Sequence, residues 1–181
     1  ALAKIAGVEM CWSYNRQYGA RFLAVMPTNL YGQGDRYDLR DAHVLPALIR
    51  KIHEAKQAGA RQVTLWGSGR PRREFLLSDD MAEACVFLMR LPDAEFGKLV
   101  APAQAPFINI GAGADQSIAE LAALIADVLG YRGEFIYDAS KPDGTPRKLL
   151  DSARIMALGW KPKAGLREGI AVAYRDFLSD R

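Results

Sequence analysis

Residues 1–32, ALAKIAGVEMCWSYNRQYGARFLAVMPTNLYG, set the reading of everything after them. Leu2, Ile5, Val8 and Trp12 recur at steps of three and four, which places them on one stripe of an amphipathic helix that ends at Gly19. Arg21 to Met26 then form a short apolar strand halted by Pro27. No Met opens the chain and nothing able to cap a helix precedes Leu2, so the start reads as a cut inside a helix.

The alternation continues outward. The loop NLYGQGDRYDLRD (29–41) leads into a helix from His43 to about Ala58, where Pro46 is tolerated because it lies in the first turn. Gln62 to Trp66 is a strand closed by GSG, and Glu74 to Leu77 a short strand that meets Ser78, the expected cap of the helix DDMAEACVFLMRL. Phe107 to Ile110 is a strand opening into GAGADQ (111–116). Ser117 and Glu120 then have the spacing of a capping box for IAELAALIADVLG. Glu134 to Tyr137 is a further strand, and helices over about Ser152 to Leu158 and Leu166 to Leu178 finish the chain. Strands alternating with helices argue an α/β fold with a largely parallel sheet.

Composition bounds the function. The 181 residues are 50% hydrophobic and 25% charged, enough for the core of one ordinary domain or parts of two, and too apolar for disorder. The net charge of +3 is spread over interspersed Lys, Arg, Asp and Glu, which excludes a polybasic nucleic-acid arm more firmly than the binding of a small anion. Cys11 and Cys85 sit among apolar neighbours outside any CxxC and read as reduced core thiols of a cytoplasmic protein, with no disulfide framework and no metal site. No apolar run reaches membrane-spanning length. GAGADQ follows a strand and precedes a helix, yet it lacks the G-x-G-x-x-G pattern of a pyrophosphate cradle and is expected to be a tight turn.

ALAK leading an amphipathic helix, followed by a strand ending MPTNLYG, is similar to the second half of an extended short-chain dehydrogenase/reductase. In that superfamily the catalytic pair is Y-x-x-x-K; the Lys corresponds to Lys4, and its Tyr would stand one residue before Ala1. A spacing of four puts both side chains on one helix face, where the ammonium favours the phenolate. SYNRQYG (13–19), PTNLYG (27–32), WGSG (66–69), RREFL (72–76) and DDMA (79–82) narrow the comparison. With the more specific HVLPALIRKIHEA (43–55) and KPDGTPRKLLD (141–151), the chain resembles the GDP-L-fucose synthase family.

That resemblance implies the C-terminal part of an extended Rossmann-type, doubly wound parallel sheet with a smaller α/β substrate-binding lobe. Residues 1–28 and 78–112 would belong to the cofactor domain, and 29–77 and 113–181 to the lobe. It implies epimerisation at C3 and C5 and NADPH-dependent reduction at C4 of GDP-4-keto-6-deoxy-D-mannose, by a homodimer with Trp12 and Tyr14 as interface candidates. These residues alone, without the Gly-rich loop and the Tyr, are not expected to turn over.

The roles carried over fall on particular residues. Taken alone, Lys4 is an ordinary surface lysine; under the resemblance it holds the nicotinamide ribose and lowers the Tyr pKa. Pro27, Asn29 and Leu30, with Tyr31, follow a strand end where cofactors dock in open α/β sheets. His43 is the resemblance's proton donor to C3 or C5 and a cofactor neighbour, a task suited to imidazole near neutral pH; His53 is expected only to pack. Arg73 is the expected diphosphate ligand, since its planar fork matches phosphate oxygens. Trp66 offers an apolar face and an N–H to the sugar, Asp143 accepts hydroxyl hydrogens, and Lys51 adds charge. Arg72, Arg147 and Lys148 are as readily structural ion pairs, Trp12 and Trp160 are packing residues, and Cys11 is not the family's catalytic thiol. Two alternatives stand beside this reading: another nucleotide-sugar 4-epimerase or dehydratase, against which His43 argues, and a non-catalytic sugar-nucleotide-binding module.

Overall fold

The computed structural model describes all residues except Pro102, Gln104, Asp180 and Arg181, so parts of the expected 78–112 and 113–181 segments lie outside the described residues. In chain order the elements are α1 (Leu2–Tyr18), β1 (Ala24–Pro27), β2 (Asn29–Tyr31), α2 (Val44–Gln57), β3 (Gln62–Trp66), β4 (Arg72–Leu77) and α3 (Ser78–Met89). They continue with α4 (Asp93–Leu99), β5 (Phe107–Ile110), β6 (Asp115–Ser117), α5 (Ile118–Leu129), β7 (Glu134–Asp138), β8 (Arg147–Lys148), α6 (Ala153–Ala157) and α7 (Leu166–Ser179).

The strand pairs are parallel with one exception. β1 runs beside β5, with Ala24 opposite Phe107, and β3 runs beside β7, with Gln62 opposite Glu134. β4 is parallel to β2 on one side and, at its start, is antiparallel to β6 and parallel to β8. The expected parallel α/β architecture is therefore the one observed.

β4 lies between two cores, because successive strand side chains point to opposite faces. Phe75 and Leu77 join Leu45, Ile49 and Ile52 of α2, Leu121 and Ile125 of α5 and Ile170 and Phe177 of α7 in one cluster. Leu76, 1% exposed, joins Ala84 and Leu88 of α3, Ile108 and Ile110 of β5, Ile155 of α6 and Trp160 in the other. A strand buried on both faces reads as a continuous apolar run, and FLL at its end is one. Trp160 thus packs as expected. Its core, and that of α6, is the β5 core.

Several expectations need correction. Ser78 does not cap α3: it is the first helical residue, Leu77 holds the N-cap position, and no side-chain cap bond forms. Strand runs directly into helix there, the Ser78 hydroxyl packs toward Gly32, and Asp79 and Asp80 supply the favourable negative charge in the first turn. The apolar stripe of α1 is open, as an interface candidate requires: the helix has no buried residue, and Leu2 is 79% exposed. Among the described residues β1 pairs with β5 alone, and the stripe meets no apolar surface that buries it. Cys11 and Cys85 are free, as read, but only half-buried. The capping box of α5 forms as expected: the Glu120 N–H donates to Ser117 Oγ (3.1 Å) and the Ser117 N–H to Glu120 Oε2 (2.7 Å). No helix among the described residues is long and apolar enough to cross a membrane.

Truncating Leu76 to Ala is expected to lower the unfolding free energy by about 3 kcal/mol, whereas Leu2→Ala on the open stripe changes it by less than about 0.5 kcal/mol. Urea unfolding of the two variants checks this; equal losses contradict the placement of β4 between the cores.

Candidate functional site

The site is built on the ends of β3 and β4. Alternation along β3 turns Val63 and Leu65 inward and Trp66 outward, leaving its indole 68% exposed. Two ammonium groups flank that ring: Lys51 Nζ, from α2, lies 5.2 Å from its centroid and Lys141 Nζ 5.7 Å. After Trp66 the chain turns sharply at Gly67, whose φ is +77°. A Cβ there would stand 2.4 Å from Asp143 Oδ1, so only glycine lets the 138–148 loop close on the turn. The loop is held by Asp143, which accepts from the Ser68 hydroxyl (2.6 Å) and the Ser68 N–H (2.8 Å). Those two bonds, the hydroxyl's first, hold the Asp143 carboxyl below the usual carboxylate range.

Neighbouring arginines on β4 meet different fates because they face opposite sides of the strand. Arg72 pairs with Asp115 (2.9 Å) and Glu120 (3.2 Å), and Arg147 pairs with the same Asp115. Asp115 is thereby held below its ordinary range, by Arg147 first and Arg72 second, and it stitches β4, β6 and β8 together. Arg73 points to the cleft. Its Nη1 donates to the Arg72 carbonyl (2.7 Å), and it forms no ion pair with a described residue.

Two clefts share Val44, Trp66 and Ile118 as walls. One, of about 450 Å³, is completed by Leu39, Ala47 and Lys51; the other, of about 170 Å³, by Pro71, Arg73, Asp143 and Gly144. Together they offer an exposed aromatic face with guanidinium and ammonium groups around it, the donor set for a phosphate attached to a ring. A third cleft, of about 450 Å³, opens between the end of β1 and the start of β2 and is lined by Pro27, Thr28, Asn29 and residues 147–150. Asn29 is fixed there by its Nδ2, which donates to the Glu74 carbonyl (2.7 Å), and the Thr28 hydroxyl donates to the same oxygen (3.2 Å).

Of the residues singled out in the sequence, Lys51, Trp66, Arg73 and Asp143 come together, and Pro27 and Asn29 line the neighbouring cleft. Leu30 packs its side chain against the β5 core. His43 occupies the N-cap position of α2, with an exposed side chain that makes no cap bond, next to the cleft wall Val44. Lys4 is exposed on α1 and lines none of the three clefts. Asp143, read as an acceptor for ligand hydroxyls, has both oxygens engaged by Ser68. Lys148, left among structural cations, lines the Asn29 cleft, while Arg72 and Arg147 are the ion-paired pair. His53 is buried, with Nδ1 2.9 Å from the Tyr174 hydroxyl, and packs as expected.

Sequence reading missed Glu74 and the stacking of Lys141 on Trp66. Glu74 is fully buried in β4, and its carboxylate accepts from the Gly113 N–H (2.7 Å) and the Leu150 N–H (3.1 Å). Residues 111–114 of GAGADQ form the turn, with Asp115 and Gln116 already in β6, and the Gly113 N–H is taken by Glu74. Its only signal was a charged residue in an otherwise apolar strand end.

Parallel strands covered by helices, with clefts beyond their carboxyl ends, define a Rossmann-type α/β protein. Residues 1–101 match the NAD dependent epimerase/dehydratase family, and the chain belongs to it. It is 50% identical over 181 residues to a GDP-L-fucose synthase of Escherichia coli strain K12, covering 100% of this chain and 56% of that protein. The chain spans about half the length of the curated relatives it matches. Among solved structures, a GDP-6-OMe-4-keto-L-xylo-heptose reductase from C. jejuni superposes with a TM-score of 0.88 at 36% identity, covering 99% of this chain and 60% of that one. A GDP-L-fucose synthetase from Naegleria fowleri bound to NADP gives 0.80 at 26% identity, covering 96% and 53%.

Because the folded-state pKa of Asp115 is depressed, its pairing stabilises the strand junction above the ordinary carboxylate pKa of about 3.9 and is lost as pH falls through the lower folded value. Thermal melts taken from neutral pH downward are expected to show a shallower acid loss in Asp115→Asn than in the unmodified chain. Parallel acid profiles contradict the assignment.

Proposed function

We propose that this chain forms the sugar-nucleotide-binding part, with the end of the cofactor-binding part, of an NADPH-dependent enzyme that converts GDP-4-keto-6-deoxy-D-mannose to GDP-L-fucose. The observation that carries the reading is the convergence of Arg73, Lys51 and Trp66 on adjoining clefts while Arg72 and Arg147 are neutralised by Asp115. Cations with no carboxylate partner among the described residues, set around an exposed indole, suit a diphosphate joined to a sugar and a base. The names of the relatives support the same class of ligand.

In this reading Arg73 holds the diphosphate with its fork of donors, Lys51 adds positive charge, Trp66 covers the sugar, and Asp143 keeps the overlying loop closed. His43, at the rim beside Val44, returns a proton to C3 or C5. The Asn29 cleft fits a nicotinamide. It combines a fixed side-chain amide, the backbone of Pro27 to Asn29 and the ammonium of Lys148, at the sheet's carboxyl end. NADPH, when bound, supplies the hydride for reduction at C4. Lys4 lines none of the three clefts, and its role at the ribose hydroxyls rests on the family resemblance alone. The exposed stripe of α1, with Leu2 79% and Ile5 58% exposed, suits pairing with a second copy. A C4 reductase that does not epimerise is a second reading, favoured by the likeness to the C. jejuni reductase; His43 is what separates the two.

Titrating GDP into the chain and following indole fluorescence tests the site. GDP is expected to quench a signal that Trp66→Phe abolishes, and Arg73→Ala is expected to weaken binding by about tenfold or more, the worth of a charge-assisted hydrogen bond. Unchanged affinity in Arg73→Ala contradicts the reading. In a chain that carries the complete cofactor-binding half, His43→Ala is expected to retain C4 reduction and lose epimerisation; retained epimerisation favours a different proton donor.

A further inference from the structure

Glu74 is 0% exposed and forms no ion pair with a described residue. Burying an uncompensated carboxylate costs several kcal/mol, so its surroundings must repay it with hydrogen bonds. Both oxygens are used: Oε1 receives the Gly113 N–H and Oε2 the Leu150 N–H. The approach is close enough to dictate a neighbour, since a Cβ on Gly111 would lie 2.4 Å from Oε1. The same residue's carbonyl accepts from Thr28 and Asn29. One residue therefore gathers three segments: the end of β1 with the start of β2, the turn after β5, and the chain just after β8.

The first and the last of those segments line the Asn29 cleft, and the last continues back through residues 142–148 to the wall of the Arg73 cleft. Arg73 and Lys148 are opposite each other in the β4–β8 register, one position from Glu74 and two from Leu150. Gly144 of the same loop lies so close to Arg73 that a Cβ on it would stand 2.9 Å from Arg73 Nη2. Strand alternation sends Arg73 to the ligand side and Glu74 to the interior beneath it.

We propose that Glu74 is the positioning residue of the ligand site: by anchoring the Leu150 N–H its carboxylate holds the 142–150 segment over Arg73, while its backbone carbonyl ties Thr28 and Asn29 of the adjoining cleft into the same frame. This rests on the reading of the Arg73 cleft as a GDP site. A role confined to stability would lower the melting temperature and leave the folded protein's affinity intact. A positioning role acts on the diphosphate contact itself.

The test compares GDP with guanosine, which lacks the phosphates, by titration well below the melting temperature of each variant. Glu74→Gln leaves a single acceptor oxygen for two N–H donors, so the Gly113 and Leu150 bonds can no longer both form. It is expected to weaken GDP by about tenfold and to leave guanosine within twofold. Gly111→Ala, which keeps the charge but pushes against Oε1, is expected to show the same split and carries the test if Glu74→Gln does not fold. GDP affinity within twofold of the unmodified chain in the folded variants, or equal losses for GDP and guanosine, overturns the proposal while Arg73→Ala still weakens GDP. If Arg73→Ala leaves GDP binding unchanged, the site reading fails and the proposal with it.

Discussion

The arrangement around the site depends on one buried carboxylate. Glu74 accepts two backbone N–H groups from segments far apart in sequence, Gly113 and Leu150, and lends its own carbonyl to Thr28 and Asn29. Hydrophobic burial alone brings β4 between its two cores, but it has no direction and does not set where a loop of exposed residues sits. Residues 141–149 are all exposed, so their position comes from polar ties at either end: Asp143 to Ser68, Asp115 to Arg147, and Glu74 to Leu150. The clefts are defined by these ties as much as by the sheet.

Charge is then sorted by strand geometry. Arg72 and Arg73 are adjacent in sequence and equivalent in composition, yet one is committed to Asp115 and Glu120 and the other is left to the cleft. Lys51 and Lys141 reach Trp66 from a helix and a loop and are drawn to the face of its ring. The result is a small positive recess with an aromatic wall in a chain whose net charge is only +3. That local field, more than the overall basicity, favours an anionic ligand.

Much of this was legible in the residues. Pro46, acceptable only in a first turn, and the Ser117–Glu120 pair marked α2 and α5 almost to the residue, while Lys51, Trp66, Arg73 and Asp143 were named through the family resemblance. β2, β6 and β8 were read as loop because two or three residues are too few to show a period. The periodicity of α1 showed a stripe but not whether this chain covers it, because burial is a tertiary outcome. Which of two neighbouring arginines is consumed by an ion pair depends on the β4–β6 register, and a buried Glu is written with the same letter as a solvated one.

The most direct measurement is a crystal structure of the chain with GDP bound. The account predicts the diphosphate within hydrogen-bonding reach of Arg73, ligand stacked or edged against Trp66, and Glu74 still receiving the Gly113 and Leu150 N–H groups. A diphosphate bound away from Arg73, or a Glu74 carboxylate released from both donors with the nucleotide in place, contradicts it.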